Sequence, residues 1–236
     1  MPESTCRNAH ERTIAIPADR NAEPAASRTA VVSRTGPKRS ESIRLAVLHA
    51  ADDLLVERGF NGVTIEGIAA RAGVAKQTVY RWWKSKVDIL LDTLADDARD
   101  ALAWRGGGED AEAELKAQLR RIAGFFQQPA GQVLRALLGH AQTDQATARA
   151  LREGFLREQR ERDLLGLRAV LERHTGRPVP EPTVDTLLSV LLGPLYYQAL
   201  VHDAPPAPEL LDATARHVLD LAVRTDAPKP GQAAAT

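Results

Sequence analysis

One short stretch of the chain carries Lys76, Gln77, Thr78, Tyr80, Arg81 and Trp82, with Lys86 just beyond it. Gln and Arg can each make paired hydrogen bonds to a base edge in the major groove of a duplex, while Lys and Thr can bond bases or phosphates. Tyr80, Trp82 and Lys86 are better suited to phosphates. Such side chains read a duplex only when one helix presents them together, so the surrounding elements decide what they can do.

Thr64 can cap a brief helix bearing Ile65, Ile68, Ala69 and Ala72. Gly73 interrupts it where a Cβ would be strained, and a second short helix is expected from about Ala75 to Trp83. Ile68, Ala69 and Val79 then pack the two together, Ala69 being small enough for close approach. Lys76, Gln77, Thr78 and Arg81 are left facing outward. Two short helices around a glycine turn, the second basic and aromatic, meet the description of a helix-turn-helix. Helix starts at Thr64 and Ser85 would add backbone N–H donors for phosphates. Trp83 is expected in the core, under the first helix.

The elements on either side are helical as well. Ile43, Val47, Ala50, Ala51 and Leu54 form one apolar stripe, with Ser40 or Ser42 as its cap and Gly59 at its end. Ser85 and Asp88 resemble a capping box for a helix that fades into Gly106-Gly107-Gly108. Further helices are expected over Ala111–Gln127, Gly131–Gln142, a long one from Thr143 or Asp144 to His174, Thr183–His202 and Glu209–Arg224. The fold class is all-α, with about nine helices and no convincing strand. The expected division is an unstructured tail over 1–38, a helix-turn-helix domain over 39–99, an effector-binding and dimerisation domain over 100–226, and a second tail over 227–236. The first tail is either an arm whose Arg34, Lys38 and Arg39 reach the minor groove or simply unstructured.

Net charge is zero over 236 residues, yet Arg34 to Lys86 holds ten Lys and Arg against five Asp and Glu. From Val87 onward the balance reverses, seventeen against twenty-two. A basic front and an acidic remainder fit one end made for a polyanion and another for something else. The single cysteine, Cys6, cannot form an internal disulfide, and no apolar signal segment opens the chain, so a cytoplasmic location is expected. The run Thr186–Val201 is shorter than the ~20 residues of a membrane span and contains Gly193-Pro194, so it reads as a buried helix and no membrane partner is expected.

Trp104, Phe125, Phe126, His140, Phe155, Tyr196 and Tyr197 are the candidates for lining an apolar effector pocket with a few polar handles, against ordinary core packing for any one of them. Leu187, Leu188, Leu191, Leu195 and Ala199, with Leu210, Leu211, Val218 and Leu221, are expected to form an isologous four-helix dimer interface. The histidines show no metal spacing, and the glycine run is not followed by Lys-Ser or Lys-Thr, so neither a metal nor a phosphate-binding cofactor is expected.

The stretch from Thr64 to Leu90, with Arg44, Ala50-Ala51 and Gly59-Phe60 before it, resembles the helix-turn-helix and flanking helices of the TetR family of transcriptional regulators. Weaker likeness continues through Arg135-Ala-Leu-Leu, Phe155-Leu-Arg and Leu192-Gly-Pro-Leu-Tyr-Tyr197. The resemblance implies an all-helical homodimer that binds double-stranded operator DNA, Arg44 and Thr64 included among the contacts. It also implies a pocket for an apolar or amphipathic small molecule among the middle helices. Two departures stand out: Ala75 where a capping Ser is common, and Trp82 where His or Arg is more usual. An enzyme is the rival reading, but no nucleophile–base pair or cofactor fingerprint is visible. A DNA binder without an effector is the other, and it leaves the long remainder of the chain without a role.

Overall fold

Helices make up every regular element among the described residues, 37–108 and 110–224 of the computed structural model. The expected tails lie outside them, apart from Pro37 and Lys38, which open the first helix; Arg34 of the suggested arm also lies outside. Helix α1 runs Pro37–Gly62, so it begins before Ser40 and Ser42, with proline at a position where its missing N–H has no helical partner anyway. Gly59 breaks it at φ 66°, ψ 173°, and a last turn carries Phe60. Val47, Leu48, Ala50, Ala51, Leu54 and Leu55 form its buried face.

Helices α2 (Ile65–Arg71) and α3 (Lys76–Trp82) follow, with Gly73 at φ +66° between them. Helix α4 spans Lys86–Ala101 and starts on a complete capping box: Asp88 N donates to Ser85 Oγ at 3.2 Å, and Ser85 N to Asp88 Oδ2 at 2.9 Å. Its inner face, Ile89, Leu90, Leu94 and Ala98, packs against both α1 and the later helix α6.

The second half comprises α5 (Ala111–Phe126), α6 (Pro129–His140), α7 (Gln145–Leu151), α8 (Arg157–Thr175), α9 (Glu181–Tyr197) and α10 (Pro208–Arg224). Asp110 and Asp144 cap α5 and α7, each accepting from backbone N–H groups of the first turn. The single long helix expected from Asp144 to His174 is instead α7 and α8 joined by a π-helical turn, Arg152–Leu156, where Gly154 adopts φ −97°, ψ −108°. A second π-helical turn, Gln198–His202, extends α9. One continuous apolar core runs from Val47 to Ala222 and joins both halves.

With that turn, Glu181–His202 is 22 residues long at mean hydropathy 1.3, long and apolar enough by length and composition to cross a membrane. Its Val184, Leu187, Leu188, Leu191 and Leu195 are nevertheless packed into the protein core, against α5, α8 and α10. The expectation that this segment is too short rested on its uncharged stretch alone and does not hold at its full length; 33% of its most apolar window is buried in the protein.

Candidate nucleic-acid interface and regulatory cleft

Ile68 and Val79 are fully buried and Ala69 nearly so, which fixes α2 against α3 as the sequence implies. Thr64 caps α2 through Gly67 N, which donates to its Oγ1 at 3.0 Å. Its Oγ1 accepts within the protein, which leaves its O–H able to donate outward. Ala75, the N-cap of α3, makes no side-chain bond.

Gln77 and Arg81 are exposed and have no ion-pair or side-chain hydrogen-bond partner among the described residues. Thr78 is half-buried and Tyr80 is 40% exposed. Lys76 pairs with Glu66 of α2 and lies 5.4 Å from the centre of the Tyr80 ring. Trp82 is half-buried on Trp83, ring centres 5.3 Å apart. Lys84, exposed beside this face, was not singled out from the sequence, because one lysine in a loop carries no pattern.

Two residues expected to contact DNA, Arg44 and Lys86, are engaged within the protein. Arg44 grips Asp92 with two bonds, Nη2–Oδ1 at 2.6 Å and Nε–Oδ2 at 3.2 Å, and reaches Asp96 at 3.1 Å and Glu41 at 3.0 Å. Asp92 above all raises its pKa, holding the guanidinium firmly charged. Asp92 also accepts from Trp83 Nε1 at 3.1 Å, so this network ties α1, Trp83 and α4 together. With three carboxylates around its guanidinium, Arg44 joins α1 to α4. Lys86 is turned inward too: its Nζ donates to the Phe60 carbonyl at 2.6 Å and sits 4.2 Å from the centre of the Phe60 ring. Burial lowers its pKa. Some of the backbone donors at the start of α4 are taken internally: Asp88 Oδ2 accepts from Lys84 N and Ser85 N, and Ser85 Oγ from Asp88 N.

The expected pocket residues separate into three groups. Phe125, Phe126 and Phe155 are core, the first two edge-to-face at 6.0 Å. His140 stacks on Phe60 at 4.5 Å, opposite the end of α1, and is removed from the pocket set. Tyr197 is 55% exposed against His202 and is removed as well. Trp104 and Tyr196 remain. A cleft of about 320 Å³ between α8 and α9 is lined by Tyr196, Gln159, Asp163, Leu156, Leu188 and Leu192. Tyr196 meets Phe126 edge-on at 5.2 Å, and Trp104 Nε1 donates to Asp163 Oδ1 at 2.9 Å. Burial pushes the Tyr196 hydroxyl up to about 12, with the neighbouring Asp163 charge adding to it. Asp163 and Gln159 went unnoticed in the sequence because nothing local marks a polar residue on a helix as turned inward.

The expected dimer contacts need correction too. Leu187, Leu188, Leu191, Leu195, Ala199, Leu211 and Val218 are buried within the single chain, and only Leu210 and Leu221 are partly exposed. Periodicity identifies an apolar stripe but not which neighbour covers it, and here the chain covers its own. On the other side of α9 and α10, Val190, Pro194, Ala213 and His217 line a shallow groove.

A short three-helix head with an exposed reading face, joined by α4 to a larger helical body with a cleft, defines a helix-turn-helix DNA-binding regulator. Residues 47–93 match the family profile described as "Bacterial regulatory proteins, tetR family", and residues 108–218 match "Tetracyclin repressor-like, C-terminal domain". The uncharacterized HTH-type transcriptional regulator YdeS of Bacillus subtilis (strain 168) is 31% identical over 171 residues, 72% of this chain and 84% of that protein. The crystal structure of the TetR family transcription regulator SCO0332 shares 34% identity at TM-score 0.63, covering 76% of this chain and 97% of its own. A putative TetR-family regulator from Mesorhizobium loti MAFF303099, at 20% identity and TM-score 0.57, shares the fold over 79% of this chain and 98% of its own. The chain belongs to the TetR family of transcriptional regulators.

Proposed function

We propose that the protein is a dimeric repressor that leaves its operator when a small molecule enters the cleft between α8 and α9. The carrying observation is the path of α4. It starts on the Ser85–Asp88 cap beside α3, and Trp104, just past its end, is bonded to Asp163 at the cleft. A ligand that shifts Trp104 therefore acts on the helix that sets the position of the reading face. DNA and ligand prefer different states, and by linkage each weakens the other by the same factor, about 5- to 150-fold in such systems.

In this reading Gln77 and Arg81 contact base edges, while Tyr80, Lys76 and Lys84 serve phosphates; Lys76 must exchange Glu66 for DNA to do so. Thr78 and Trp82, half-buried, supply flanking contacts. Dimerisation uses the outer face of α9 and α10, around Val190, Pro194, Tyr197 and Val223, rather than the buried leucines. Two copies on a two-fold axis then read a near-palindromic site. Selection of bound genomic fragments, followed by titration of the selected duplex with lipophilic compounds, tests the reading. Operator release supports it, and release by no compound that binds the cleft overturns it.

A further inference from the structure

Two carboxylates of the regulatory half lie deep in the protein, and they are treated differently. Glu114, 9% exposed, is neutralised by Arg173 at 2.5 Å. Asp163, 5% exposed, receives only neutral donors among the described residues: Trp104 Nε1 at 2.9 Å and Gln159 Nε2 at 3.0 Å, both on Oδ1. The cations near it are committed elsewhere. Arg162 donates to Gln159 Oε1 at 2.8 Å, and Arg160, on the cleft wall, pairs with Asp185. A buried carboxylate without a direct cationic partner is costly, and that cost is recovered when a cation is supplied.

The space beside Asp163 fits such a supply. The cleft has apolar walls in Leu156, Leu188 and Leu192, an aromatic ring in Tyr196, and a volume of about 320 Å³, which suits a small ligand. We propose that it takes an organic ammonium with an apolar body, whose charged head engages Asp163 in competition with the Trp104 indole. This rests on the reading of the protein as ligand-responsive, and it names the class of ligand and the contact that transmits its arrival.

Trp104 has little slack to absorb that competition. A Cβ on Gly166 would lie 2.1–2.7 Å from its ring, so the indole is pressed directly on the α8 backbone. Trp104 follows α4 by three residues, and an indole released from Asp163 loosens the end of α4 without any change in the head itself.

Calorimetric titration of the full chain with n-decylammonium, n-decanol and n-decanoate, all below micelle formation, tests this. Decylammonium is expected to bind at least tenfold tighter than decanol, with decanoate weakest. Asp163→Asn keeps an acceptor for the indole and is expected to erase that preference while changing decanol binding less than twofold. Trp104→Phe keeps a ring but removes the competing N–H, and is expected to tighten decylammonium several-fold. Equal binding of decylammonium and decanol, a preference that survives Asp163→Asn, or no tightening in Trp104→Phe overturns the proposal. The same probes are then added to operator-bound protein. Release by decanol but not by decylammonium overturns the proposal and leaves the ligand-responsive reading standing. Decylammonium bound through Asp163 with operator affinity unchanged supports the site and overturns that reading.

Discussion

Two pairs of glycines, one pair in the head and one in the regulatory half, answer to different constraints. Gly59 and Gly73 sit at φ +66°, and an added Cβ at either would meet nothing within 4 Å. Backbone angle is the constraint there. Gly131 and Gly166 lie in helices at ordinary angles, but a Cβ at Gly131 would come within 2.5 Å of the Phe125 carbonyl oxygen and the Phe126 Cα, and one at Gly166 would strike Trp104. Space is the constraint there. The divide runs between positions rather than halves: Gly131 is crowded by the turn just before it, Gly166 by a ring from a distant segment, and Gly176, also in the regulatory half, sits at φ +69° like the head's pair.

The sharpest way to break this comparison is to put alanine at one position of each kind. Gly131→Ala meets backbone that cannot rotate away and is expected to cost about 3 kcal/mol, read as a fall in urea midpoint. Gly73→Ala is expected to cost only about 1 kcal/mol, the penalty of a left-handed alanine. Equal losses would mean that angle and space constrain the two positions alike.

The head's reading face offers the next largest effect. Gln77→Ala and Arg81→Ala are expected to weaken the preferred operator by about 1–3 kcal/mol in a competition assay, with melting temperature unmoved. Arg44→Ala is expected to do the reverse. It strands Asp92 and Asp96, lowering stability by about 1–2 kcal/mol, while the dependence of DNA affinity on salt keeps its slope. A flattened slope in that variant would restore Arg44 as a phosphate ligand.

The smallest effect lies where α1 meets α4. Burial first, and then the charge of Asp97, push Asp52 up to about 7, and Asp97 is itself raised by burial. Asp52 Oδ1 is buried with no hydrogen-bond partner among the described residues, so nothing at that atom offsets the cost of a charge. The folded state holds the Asp52 proton more tightly than the unfolded chain, so stability is greatest below an unfolded carboxyl pKa of about 4 and falls as pH rises toward 7. Solvent screening of this half-buried pair keeps the loss on the order of 1 kcal/mol. Asp52→Asn is expected to flatten thermal stability between pH 5 and pH 8, and an unchanged profile would rule the pair out as its source.

What the sequence made legible follows the same divide. Thr64 with Gly67, Gly73, and Ser85 with Asp88 could be read because each partner lies within a turn. The all-helical class and the place of the helix-turn-helix followed from them. Arg44 and Asp92 are 48 residues apart, Lys86 and Phe60 are 26, and Trp104 and Asp163 are 59. No periodicity announces such partners, so the internal bonds of Arg44 and Lys86 and the polar side of the cleft went unseen. The leucines of α9 show the matching limit for apolar residues, since a stripe has the same spacing whether it meets its own chain or a second copy.

The π-helical turn at Arg152–Leu156 sets the facing of everything after it in α8. Such a turn carries one residue more than an α-helical turn, which rotates the following side chains by about 100° relative to an uninterrupted helix. Gln159 and Asp163, four residues apart, share the face that this offset brings to the cleft. Loss of one codon at Gly154 would close the turn into ordinary helix and swing that pair aside, exchanging the polar wall of the cleft for its neighbours on α8. In evolutionary terms the turn is a dial. A single insertion or deletion there can present a regulator with a different class of molecule while the surface that reads DNA is inherited unchanged.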